Sequence, residues 1–208
     1  MELYYTPYAP IPNDIHMLAT LPPARRIRHS LLWPNAGPLF VYTLLSFVLE
    51  RIYSLRAEIL TYTEQGKPYL PGYPLHLSLS HSKSHALCGV ANVPLGCDLE
   101  THRLVPVYTR HRVLGSGESS DDFFAYWTLK ESYFKLHGAF DRPFSTLTFT
   151  LAGDRATGQG THGWLYREIP GCTAAVVAER PFTRPSLTPV APETLFAYAA
   201  KQGTNELP

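Results

Sequence analysis

Charge is scarce in this chain. Only 17% of its 208 residues are Asp, Glu, Lys or Arg, and the formal net charge is +1. No whole-molecule field then favours nucleic acid or an anionic membrane. Cysteine is scarce as well. Cys88, Cys97 and Cys172 are odd in number, form no CxxC pair and sit in apolar runs. This excludes a disulfide framework and predicts buried thiols in a reducing compartment. The opening residues Met1-Glu2-Leu3-Tyr4-Tyr5 lack the basic stretch followed by an apolar stretch of a secretory leader. The longest apolar run, Leu39 to Leu49, is too short to cross a bilayer and ends in Glu50-Arg51. The expectation is a soluble cytoplasmic protein with neither nucleic acid nor membrane as partner.

What is present points to a packed core. Hydrophobic residues make up 45% of the chain and aromatics 12%, enough for one large domain or two small ones. The stretch Leu95-Gly96-Cys97-Asp98-Leu99-Glu100 follows an apolar run and reads as a strand. Residues two apart on a strand share a face, so Asp98 and Glu100 stand side by side. Adjacent carboxylates repel unless a positive group sits between them, and a hard cation such as Mg2+ is one solution. A strand ending at the surface with two solvated acids is the other reading.

The rest of the chain alternates strands and helices. A strand is predicted at Glu2 to Tyr5. A basic cluster of Arg25, Arg26, Arg28 and His29 is a solvated face or a phosphate contact. A buried helix is predicted from Pro38 to Tyr53. Gly66-Lys67-Pro68 is a loop that projects Lys67. Leu75 to Ser82 alternates apolar and polar as a half-buried strand, ending in Ser80-His81-Ser82. Ala86 to Ala91 is a further strand. Residues 101–120 read as irregular. Phe123 to Leu136, with polar caps before it and Gly138 after it, is the strongest helix signal. On it Glu131 and Lys135 lie one turn apart, as a surface ion pair or as part of a site. Strands are predicted at Ser145 to Leu151, Trp164 to Ile169 and Thr173 to Ala178, and a short helix at Glu193 to Lys201. The predicted division is 1–93, 94–180 and a tail 181–208.

Gly96-Cys97-Asp98-Leu99-Glu100 followed by Trp127-Thr128-Leu129-Lys130-Glu131-Ser132-Tyr133-Phe134-Lys135 resembles the paired signature of the 4'-phosphopantetheinyl transferases. Lys67 in its Gly-Lys-Pro loop, Leu79-Ser80-His81-Ser82, and Glu118 match further motifs of the Sfp-type class, in order. The resemblance covers roughly residues 60–180.

It implies an α+β fold of two similar halves, each a helix on a small antiparallel sheet, arranged as a pseudo-dimer with the site between them. It implies an enzyme of the holo-carrier-protein synthase type, and a monomer. The 4'-phosphopantetheine arm of coenzyme A would move to a serine of an apo acyl or peptidyl carrier protein, with release of adenosine 3',5'-bisphosphate. The carriers would serve fatty-acid, polyketide or nonribosomal-peptide synthesis. Asp98, Glu100 and Glu131 would hold Mg2+. Lys67, Ser80, His81, Lys130 and Lys135 would bind coenzyme A, with Arg25 and Arg28 as further nucleotide contacts. Glu131, Lys135 and Glu118 would be catalytic, the base being Glu131 or a water oriented by Glu118. Two alternatives stand beside this: another Mg2+-dependent phosphoryl-transfer enzyme, and a non-catalytic module that binds coenzyme A or a carrier.

Overall fold

The structure, a computed structural model, describes residues 1–12, 14–21, 36–138 and 142–205. The chain is α+β, with two sheets. The first has six strands in the order β11-β1-β5-β4-β3-β2. They are β1 (Glu2–Pro7), β2 (Thr61–Tyr62), β3 (Pro68–Tyr69), β4 (His76–His81), β5 (His85–Ala91) and β11 (Ser186–Pro189). The second has five in the order β6-β10-β9-β8-β7. They are β6 (Gly96–Thr101), β7 (Thr150–Ala152), β8 (Arg155–Gly158), β9 (Thr161–Tyr166) and β10 (Cys172–Ala178). All neighbours pair antiparallel except β1 and β11, which run parallel.

The helices are α1 (Asp14–Ala19), α2 (Ala36–Tyr53), α3 (Val107–Val113), α4 (Phe123–His137) and α5 (Pro192–Asn205). The period-two alternation of β1 and β5 divides the core. Tyr4, Ala86, Cys88 and Val90 face α2 and meet Phe40, Leu44, Leu45 and Val48. Leu3 and Leu87 face the other way and meet Leu99, Tyr166, Ala174 and Val176 of the second sheet. The opposite face of that sheet, with Leu165, Ala175 and Val177, packs on Ala125, Leu129 and Leu136 of α4. The two sheets therefore lie face to face, each with a long helix on its outer side.

The segments predicted as long helices and central strands are all present. Three others differ. Residues 101–120 contain α3, which starts behind Pro106 and ends with Arg110, His111 and Arg112 in its last turn, where cations suit the helix dipole. The expected strand Ser145 to Leu151 survives only as β7, because a 3-10 turn occupies Phe144–Thr146 and the Thr146 hydroxyl closes on the Pro143 carbonyl at 2.7 Å. The tail is not an appendage. β11 extends the first sheet beside β1, and Val190, Leu195 and Ala199 join the core under α2. The Tyr198 hydroxyl and the Gln202 amide both donate to Glu50 on α2, at 2.6 and 2.7 Å. None of the described helices is long and apolar enough to cross a membrane. All three cysteines are free and buried, as expected.

Candidate active site

The site is built where β6 touches α4. A Cβ placed on Gly96 would lie 1.9 Å from the Ser132 carbonyl oxygen and 2.6 Å from the Leu136 amide nitrogen. Only glycine lets the strand approach the helix backbone so closely. Ser132 is fully buried and donates to the Ala175 carbonyl at 3.2 Å, fixing the helix against the sheet. The residues flanking Ser132 on α4, Glu131 and Lys135, are thereby set against Asp98 of β6.

Lys135 Nζ donates to Asp98 Oδ1 at 2.6 Å. The expected partner of Lys135 on its own helix, Glu131, has been displaced by a carboxylate of the facing strand. Burial draws the Lys135 ammonium down, but Asp98 beside it outweighs that, and the net shift is upward. Glu131 responds in the opposite way. Burial comes first and the charges of Asp98 and Glu100 add to it, so its carboxyl is pushed up to about 7, with Lys135 opposing only in part. Asp98 Oδ2 is buried without a hydrogen-bond partner. Such an atom is unfavourable unless a further group occupies its lone pairs.

Glu100 has partners of its own. Its Oε2 accepts from Arg103 at 2.5 Å and from Ser82 at 3.0 Å. Arg103 also lies over the Trp127 and Phe124 rings, 5.2 and 5.7 Å from their centroids. Among the described residues, no group of three His, Cys, Asp or Glu side chains is gathered closely enough to hold a metal ion. Asp98, Glu100 and Glu131 nonetheless supply oxygen donors of the kind a hard cation takes: one buried Asp98 oxygen has no partner, and burial, then the neighbouring negative charges, raises the Glu131 carboxyl.

Beside these groups opens a cleft of about 430 Å3, lined by Lys67, Leu79, His81, Phe134 and Lys135 together with Tyr42 of α2. His81 packs against the start of α2, where a Cβ on Gly37 would lie 2.6 Å from its Nδ1. Burial of the ring, then the Lys135 charge, holds its pKa below the usual imidazole value, with Asp98 opposing. Lys67 reaches across from the first sheet and donates to the carbonyls of Leu136 at 2.8 Å and Leu95 at 3.4 Å. It thus caps the C-terminus of α4 as well as lining the cleft.

Other expected site residues lie elsewhere. Lys130 and Glu118 are paired with each other in the interior, their side chains 0% and 2% exposed, and neither lines the cleft. Lys130 Nζ also donates to the Val113 carbonyl at 2.6 Å, and Glu118 accepts from the Gly115 and Phe149 amides at 2.7 and 3.0 Å. The pair ties the end of α3 and the approach to β7 onto α4. Ser80 is 5% exposed and its hydroxyl is committed to Asp98 Oδ1 at 2.6 Å rather than to the cleft. Arg25 and Arg28 lie outside the described residues. Sequence reasoning missed Ser82 and Arg103 as partners of Glu100; the S-x-S alternation opposite D-x-E was the available signal. It also missed an exposed apolar surface at the start of α3, where Leu104, Val107 and Tyr108 are 99%, 68% and 67% exposed.

Three known proteins are informative. A 4'-phosphopantetheinyl transferase of Bacillus subtilis is 31% identical over 104 aligned positions, covering 44% of this chain and 46% of the relative. The 4'-phosphopantetheinyl transferase gsp of Aneurinibacillus migulanus is 32% identical over 88 positions, 36% of each chain. The 4'-phosphopantetheinyl transferase Sfp of Bacillus subtilis (strain 168) is 27% identical over 171 positions, 72% of this chain and 76% of the relative. The match thus spans less than half the length of the first two relatives and about three quarters of the third. No family model matches the chain.

Proposed function

Because the chain is related to the Sfp-type 4'-phosphopantetheinyl transferases, we propose that it moves the 4'-phosphopantetheine arm of coenzyme A to a serine of an apo acyl or peptidyl carrier protein. The observation that carries this reading is the meeting of Asp98 and Glu131 with Lys135, which itself lines a cleft shared with Lys67 and His81. The α2-on-sheet and α4-on-sheet units, divided near residue 94, are read as similar halves of a pseudo-dimer, with the tail completing the first.

The carrier serine oxygen attacks the phosphorus that bears the pantetheine arm. The bond from that phosphorus to the bridging oxygen breaks, and adenosine 3',5'-bisphosphate leaves with the electron pair. Glu131, set on α4 beside Asp98, is the residue of this chain that would accept the serine proton. Lys135, kept charged by Asp98, balances the negative charge that grows on the leaving phosphate. His81 and Lys67 donate to the nucleotide phosphates from the cleft wall. Asp98, Glu100 and Glu131 would hold Mg2+, which when bound neutralises charge on the pyrophosphate oxygens. Lys130 and Glu118 act by positioning α3 and α4. The exposed Leu104, Val107 and Tyr108, on the segment that follows β6, offer the carrier an apolar landing surface.

The test is incubation with coenzyme A, Mg2+ and an apo carrier, followed by mass measurement of the carrier. A carrier heavier by one phosphopantetheine supports the assignment. Coenzyme A hydrolysis without carrier modification supports a different phosphoryl-transfer enzyme, and binding without turnover supports a non-catalytic module.

A further inference from the structure

Strand β4 and strand β6 belong to different sheets, yet they are joined by a row of serine hydroxyls. Ser78 Oγ accepts from the Cys97 amide at 2.8 Å, Ser80 Oγ from the Leu99 amide at 3.3 Å, and Ser82 Oγ from the Thr101 amide at 3.0 Å. Ser78 and Ser80 of β4, and Ser82 just past its end, thus satisfy alternate N–H groups of β6. Two of these hydroxyls go further. Ser80 donates to Asp98 Oδ1 at 2.6 Å, and Ser82 donates to Glu100 Oε2 at 3.0 Å.

A serine hydroxyl has one proton to donate. Once the backbone N–H occupies a lone pair, the direction of that proton is restricted, and so is the carboxylate that receives it. The other donors then fall on the same oxygens: Lys135 also reaches Asp98 Oδ1, and Arg103 also reaches Glu100 Oε2. Asp98 Oδ2 is left buried without a partner.

We propose that Ser80 and Ser82 are positioning residues that gather the protein's own donors onto one oxygen of Asp98 and of Glu100 and so reserve the other oxygen of each for a divalent cation. This rests on the cation-dependent transferase reading above. Partners of this kind, one step removed from a metal, typically change its affinity about 10- to 100-fold.

The experiment compares the parent protein with Ser82→Ala and Ser82→Thr. Ser82 is the better probe because it is only half-buried and its loss leaves the interior packed. Mn2+ affinity is measured by electron paramagnetic resonance with coenzyme A present, and amide exchange at Thr101 is measured without metal. Ser82→Ala should weaken Mn2+ binding about tenfold or more and speed exchange at Thr101, while Ser82→Thr, which keeps the hydroxyl, restores both to within about twofold. Mn2+ affinity within about twofold of the parent in Ser82→Ala overturns the positioning role and leaves the transferase reading intact. A parent that modifies the carrier without binding Mn2+ overturns the cation reading and this inference together.

Discussion

The Ser132 carbonyl oxygen lies 1.9 Å from the point where a side chain on Gly96 would begin. This contact brings the carboxylate strand and the lysine-bearing helix into one site. Gly96→Ala should force β6 and α4 apart, destabilising the fold by about 1–3 kcal/mol or more and separating Asp98 from Lys135. A melting curve and a transfer assay check this. A variant with parental stability and parental rate would show that the close approach is dispensable.

Lys130 and Glu118 form a buried pair that also holds the Val113, Gly115 and Phe149 backbone. Lys130→Met alone should be strongly destabilising, by about 3–5 kcal/mol, because Glu118 is left as an uncompensated buried charge. Lys130→Met combined with Glu118→Gln should recover part of that loss. Denaturant titration of the single and double variants measures the coupling, and additive losses would contradict a direct pair.

These positions show how far the sequence reached. Gly96 to Glu100 and Trp127 to Lys135 were legible because one strand and one helix carry them, and their periodicities are strong. The serine row was not, since the pairing of Ser78, Ser80 and Ser82 with residues 19 positions later is a contact between sheets. The interior location of Lys130 was equally hidden. Its place in a motif beside Glu131 suggested a shared role, but consecutive helical residues point in different directions, and Lys130 faces the α3 loop. Helix α3 escaped notice because it has no side-chain cap and no acidic first turn. Strand β11 escaped because a parallel partner at the far end of the chain leaves no local trace.

Lys135 is expected to act on the transition state. In Lys135→Gln, an amide can still donate a hydrogen bond but cannot balance the growing charge on the leaving phosphate. The maximal rate should fall by about a hundredfold or more, with a smaller loss in coenzyme A affinity. Steady-state kinetics at saturating coenzyme A, beside calorimetry, separate the two effects. A rate within about twofold of the parent would place Lys135 in a purely structural pair with Asp98.

Glu131 predicts a pH dependence of stability in the cation-free protein. Its carboxyl titrates near 7 when folded, against an ordinary value of 4.5. Between those values the folded state holds the proton that the unfolded state has released, so stability falls as pH rises through this window and then levels off. The effect amounts to at most about 3 kcal/mol. Glu131→Gln removes it. With a chelator present, the variant should melt close to the parent at pH 4.5 and above it at pH 8. An equal difference at both values would show that Glu131 titrates normally.

In the proposed function, Asp98 and its neighbours on α4 form a cation-dependent site for transfer of phosphopantetheine. The most direct measurement is the mass of an apo carrier protein after incubation with coenzyme A and either the parent or Asp98→Ala, each with Mg2+ and with excess chelator. A phosphopantetheine adduct is expected only for the parent with Mg2+. Equal modification by a folded Asp98→Ala protein, or by the parent in chelator, would contradict it.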